Sequence, residues 1–150
     1  MILSSRPRLA GLVIGLVLGT ASWVGNAART NLGIISAFPD LLTVAAVPLA
    51  LYFFMRARVR VLAPPDLRTV RRAGWSVANT AGLVLAVFLA SVTGFWFNQW
   101  DPAFIASTVL DAVVVTVGVG YLSVEIWARL LLASSRQHRA PGADDRRGDD

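Results

Sequence analysis

Residues 74–97 read GWSVANTAGLVLAVFLASVTGFWF, an uncharged run with a small side chain at every fourth position: Gly74, Ala78, Gly82, Ala86, Ala90 and Gly94. At about 1.5 Å of rise per residue, a helix of this length crosses the ~30 Å hydrocarbon core of a bilayer. The four-residue spacing brings the small side chains close together along the helix, forming a strip that another backbone can approach closely.

Outward from this run, three further apolar stretches read as spans. Leu9 to Ala28 carries no charge and is bounded by Arg6, Arg8 and Arg29. A cleaved signal peptide competes for it, but the run is long for such a segment, and Asn26-Ala27-Ala28 is only a fair cleavage context. Phe38 to Met55 ends at Arg56, Arg58 and Arg60, with Pro48 inside, where proline frees a backbone carbonyl and kinks the helix. The last stretch starts near Pro102, which suits a first helical turn, and runs to about Trp127, with apolar character persisting through Leu132.

The expected fold is an all-α membrane protein: four transmembrane helices in a compact up-down bundle, at about 9–28, 38–55, 75–97 and 103–127. Residues 1–133 form the membrane domain, and 134–150, with its mixed charges and Pro141-Gly142, reads as a flexible cytoplasmic tail. Arginine sets the orientation. Residues 56–72 hold six arginines against Asp66 alone, whereas the connection after the first span has only Arg29 and that after the third has none. Both termini and the central connection therefore face the cytoplasm. Trp75, Trp96, Trp100 and Trp127 fall at span ends, where an amphipathic ring suits the interface.

Composition agrees and excludes several function classes. The chain is 55% hydrophobic and 15% charged, against about 25% charged in soluble domains. The net charge of +5 sits between apolar runs rather than on a folded surface, so no nucleic-acid partner is expected. All 14 basic residues are arginine, which fits a GC-rich prokaryotic genome. With no cysteine, disulfides and thiol nucleophiles are excluded. The single histidine, His138, lies beyond the last span and cannot build a bis-histidine haem site within the membrane. No cofactor is implied, and no HExxH, GxSxG or P-loop pattern occurs.

The residues that carry information about function are few. Gly11, Gly15 and Gly19 form overlapping GxxxG patterns in the first span; with Ala78, Gly82, Ala86, Ala90 and Gly94 they read as helix-packing devices, the two strips facing each other. Asp111 falls well inside the fourth span, where an ionised carboxylate is costly unless water, a cation or a donor reaches it. Gly118 and Glu125 follow at intervals of seven, which places all three near one face of the helix, and Glu125 can pair with Arg129. Antiparallel packing sets Asp111 at the depth of Ser91 or Thr93, and Glu125 near Ser76 or Asn79, as an intramembrane polar seam. Arg56, Arg58, Arg60, Arg68, Arg71 and Arg72 can meet anionic lipid headgroups or a partner, and Asp66 can cap a helix from Leu67. Asp40 and Asp101 at the outer side could hold a divalent cation, but their spacing matches no motif, and helix capping explains them better.

Packing surfaces are thus abundant and chemical groups sparse. The leading expectation is a non-catalytic integral membrane subunit or scaffold of a larger assembly, with another membrane protein or a second copy as partner. A small ion- or proton-coupled transporter using Asp111 is the alternative, and a lipid-headgroup-modifying enzyme a more distant one.

Overall fold

The structure is a computed structural model that describes residues 2–32, 38–62, 66–97 and 100–137. The tail beyond Gln137, His138 included, lies outside these residues. In chain order the helices are α1 (Ile2–Ser5), α2 (Pro7–Leu32), α3 (Phe38–Val61), α4 (Leu67–Phe97), α5 (Pro102–Val113) and α6 (Gly120–Gln137). A π-helical segment, Val114–Val119, joins α5 to α6 without a break.

Local chemistry sets the helix starts. Pro7 and Pro102 each occupy a first helical position, where the absent N–H costs nothing. Asp101 Oδ1 accepts the Ala103 N–H at 3.2 Å, capping α5. Asp66 Oδ2 accepts both the Thr69 N–H and the Thr69 hydroxyl at 3.1 Å, capping α4. These two bonds, the backbone one first, stabilise the ionised carboxylate and hold the Asp66 pKa below its ordinary value. At the other end of the chain α6 continues to Gln137, past residue 134 where a flexible tail was expected. The Ser134 and Ser135 hydroxyls donate to the Leu131 and Leu132 carbonyls, each at 2.9 Å, satisfying acceptors of the last turns.

Among the described residues, three stretches are long and apolar enough to cross a membrane: Pro7–Gly25, Leu67–Val92 and Thr116–Ser135. The protein is all-α and has the architecture of a multi-pass membrane protein. The last stretch is displaced toward the C-terminus relative to the expected 103–127. The expected second span, 38–55, lies within the continuous helix α3, whose C-terminal part carries Arg56, Arg58 and Arg60. Pro48 sits inside that helix.

Helix α4 is central, touching α2, α3, α5 and α6. Its Val70, Val77 and Leu85 are buried together with Leu51 and Met55 of α3 and Val124 of α6. Gly11, Gly15 and Gly19 of α2 all face α4. A Cβ on Gly11 would lie 2.6 Å from Thr80 Cβ, and one on Gly15 would lie 2.7 Å from both the Ala81 carbonyl oxygen and Val84 Cβ. At Gly19 it would meet the Phe88 ring at 2.8 Å.

The small residues of α4 do not answer this strip, contrary to the pairing expected from their matched spacing. A Cβ on Gly74 would meet Val124 at 2.8 Å, one on Gly82 would meet Val117 at 2.9 Å, and Ala78 Cβ lies 2.9 Å from the Cβ position of Gly120. Gly94 is covered by the Trp100 ring at 2.8 Å. At about 100° per residue, the Gly74, Ala78 and Gly82 strip and the Thr80, Val84 and Phe88 strip lie on roughly opposite sides of α4. A four-residue repeat also drifts by about 40° per step, so the strip winds from α6 at Gly74 to the Trp100 ring at Gly94. The glycines of α2 receive β-branched and aromatic knobs, and the small face of α4 receives the fourth helical stretch.

Candidate functional site

One group of polar side chains converges between α4 and α6. Arg71, Trp75 and Asn79 follow one another at four-residue intervals on α4, and Tyr121, Glu125 and Arg129 do the same on α6. Because the two helices run antiparallel, the rows interdigitate as a ladder. Arg71 Nη2 lies 2.6 Å from Glu125 Oε1, and Arg129 Nη2 lies 3.9 Å from Glu125 Oε2. The Tyr121 hydroxyl donates to Asn79 Oδ1 at 3.0 Å. Between these rungs, the Arg71 guanidinium sits 4.7 Å from the Trp75 ring centre, and the Trp75 and Tyr121 rings are 5.7 Å apart at 34°.

Electrostatically this is a partly screened site. The Arg71 and Glu125 side chains are 35% and 31% exposed, so the protein only partly encloses the pair. The contact is an ion pair whose geometry is not that of a hydrogen bond; Glu125 Oε1 is charge-matched but accepts none. Arg71 Nε and Trp75 Nε1 are buried without a hydrogen-bond partner. Stacking of guanidinium on indole, about 0.5–2 kcal/mol in general, offsets part of that loss for Arg71.

Glu125 was expected beside Ser76 or Asn79; the structure puts Tyr121 on Asn79 and Glu125 a rung further along, on Arg71. Ser76 supplies its carbonyl to the Thr80 hydroxyl at 2.8 Å. Ser91 is turned away from the ladder. It is twenty residues, hence about 200°, from Arg71 around α4, and it lines an apolar groove with Leu16 of α2. Its hydroxyl donates to the Val87 carbonyl at 2.8 Å. The side chains of Asp111, Thr93, Asp40 and Trp96 lie outside the described residues, so the outer half of the expected seam is not described.

Of the single face expected for Asp111, Gly118 and Glu125, the part from Gly118 to Glu125 does not hold, and the Asp111 side chain lies outside the described residues. The π-helical segment between Asp111 and Glu125 uses i→i+5 bonding, and each such turn inserts an extra residue, rotating all later positions of the helix by about 100°. Gly118 accordingly faces outward with nothing within 4 Å of its Cβ position, while Glu125 is drawn into the ladder. At the exit of this segment the Gly120 N–H is shared between the Thr116 and Val117 carbonyls. Thr116 is 0% exposed and its hydroxyl oxygen has no hydrogen-bond partner. No sequence signal marked the π segment.

The remaining aromatic residues and arginines divide by location. Trp127 packs edge-on against Tyr52 at 5.0 Å, tying α6 to α3, and Trp100 packs against Phe95 at 5.2 Å. Arg58 Nη1 donates to the Ser4 carbonyl at 2.9 Å and holds α1 against α3. Arg56 reaches the Tyr52 hydroxyl at 3.5 Å. Arg60, Arg68 and Arg72 are exposed and make no ion pair with any described residue. Among the described residues no three acidic or histidine side chains gather in a way that could hold a metal ion. Comparison of the chain with protein-family models, with curated proteins and with solved structures finds no match.

Proposed function

We propose that the chain is a four-span membrane bundle, both termini and the 56–72 connection cytoplasmic, that works as a non-catalytic subunit or scaffold of a larger membrane assembly. One observation carries this reading: the charged groups of the α4/α6 ladder are spent on one another, while a long apolar surface is left outward. Leu110, Val114, Leu122, Ile126 and Leu130 are all exposed along α5, the π-helical segment and α6, and Gly118 opens a notch among them where a partner helix can come close. The partner is a second copy or another membrane protein. The test is the mass of the particle purified in mild detergent with its native neighbours, compared with that of Gly118→Trp. An assembly larger than the monomer that Gly118→Trp reduces is expected; a strictly monomeric particle with nothing copurifying overturns the proposal.

A second reading, transport coupled to an ion or proton through Asp111, draws support from the π-helical segment three residues further on and the buried, unpartnered Thr116 hydroxyl within it. Such segments accompany functional sites in many helices. Liposomes containing the protein should then show flux that Asp111→Ala abolishes, and flux equal with and without protein eliminates this reading.

A further inference from the structure

The N-terminal helices and α3 enclose a groove of about 540 Å³ whose walls include Leu3, Val13, Ile14, Phe53 and Ala57, with Arg60 at one end. Leu3, Val13, Phe53 and Val61 are exposed along it, so it opens sideways rather than being filled by the protein core. From Phe53 to Arg60 the groove follows α3 for about 10 Å, most of the ~15 Å of hydrocarbon in one leaflet. With α3 as the second span of the proposed topology, the groove's apolar part points into the membrane and its charged end lies where the apolar run stops, so depth and polarity match those of a lipid standing upright.

Charge narrows the class of lipid. Arg6, Arg8, Arg56, Arg58 and Arg60 all belong to this end of α2 and α3, and residues 2–32 contain no acidic residue while 38–62 contain only Asp40, at the far end of α3. Arg60 has no ion-pair partner among the described residues. Arg58, clamped to the Ser4 carbonyl that borders the groove, keeps its Nε–H buried without a partner. The exposed, unpaired Arg60 calls for an acceptor carrying net negative charge. We propose that the groove holds one acyl chain of an anionic phospholipid, with the headgroup phosphate against Arg60. This inference stands on the membrane architecture and is independent of the scaffold reading.

The test uses the full chain, purified in detergent, stripped of lipid, and titrated with palmitoyl-oleoyl phosphatidylglycerol or the phosphatidylcholine of the same chains, with bound lipid counted by native mass spectrometry. One tightly held phosphatidylglycerol is expected, favoured over phosphatidylcholine by about fivefold, the selectivity that one arginine contributes near an anionic headgroup. Arg60→Gln should erase the preference. Ala57→Trp, which fills the groove and leaves every arginine in place, should remove the bound lipid of either kind, with circular dichroism confirming that the helices persist. Equal retention of the two lipids by the unsubstituted protein overturns the proposal. So does undiminished phosphatidylglycerol binding in a folded Ala57→Trp, which would show attraction to the arginine surface without a seated chain. Retention of copurified protein in place of lipid at the stripped groove would also overturn it.

Discussion

Gly15→Ala tests the packing of α2 on α4 with a single methyl group. The new Cβ would stand 2.7 Å from the Ala81 carbonyl oxygen and 2.7 Å from Val84 Cβ, both short of ordinary contact by about 0.7 Å. Neither neighbour is the far end of a flexible side chain. One is backbone and the other the branch point of a β-branched residue, so relief requires the two helices to separate along their contact. Overpacking of this kind costs about 1–3 kcal/mol. Gly118→Ala is the matched control, because nothing lies within 4 Å of its Cβ position and alanine is the better helix former by about 1 kcal/mol. Unfolding of the detergent-solubilised protein, followed by circular dichroism as sodium dodecyl sulfate is added, should therefore show Gly15→Ala less stable than the unsubstituted chain and Gly118→Ala equal or more stable. A Gly15→Ala protein as stable as the unsubstituted one, or the reverse order of the two variants, would refute the close approach of α2 to α4.

Other expectations come from the ladder, the cap and the topology. Tyr121→Phe removes the 3.0 Å bond to Asn79 and should cost about 0.5–1.5 kcal/mol in the same assay, with no further loss when combined with Asn79→Ala if the two residues act only on each other. Glu125→Gln removes the charge opposite Arg71; because the pair is about a third exposed, the loss should be about 1 kcal/mol or less, and a loss of several would mean that the pair is drier than its exposure shows. Asp66, whose pKa is lowered in the folded state, supplies a cap that is fully present above the ordinary carboxylate pKa and lost as pH falls through the lowered one. Protection of the Thr69 amide, its exchange rate relative to that of a free amide at the same pH, should thus be lost only in that acidic range, and Asp66→Ala should lower it at every pH. Since the chain has no cysteine, Arg68→Cys offers a single thiol; a membrane-impermeant reagent should label it in inverted vesicles and not in intact cells, and labelling from outside would reverse the proposed orientation.

The presence of several apolar helices long enough to span a bilayer, and the helix starts at Asp66 and at Asp101-Pro102, were legible in the linear chain, because solvent exclusion over some twenty residues and a cap within one turn are local properties. Which neighbour each face would meet was not. A repeat of four specifies a strip but not its partner, so Gly11, Gly15 and Gly19 found Thr80, Val84 and Phe88, while Gly74, Ala78 and Gly82 found Val124, Gly120 and Val117. The direction in which Glu125 would face was beyond local reading for a related reason: an inserted π turn leaves composition untouched yet rotates every later residue. Only in the packed bundle does Glu125 come to face Arg71, since that pairing depends on the axial register and rotation of two helices that are far apart along the chain.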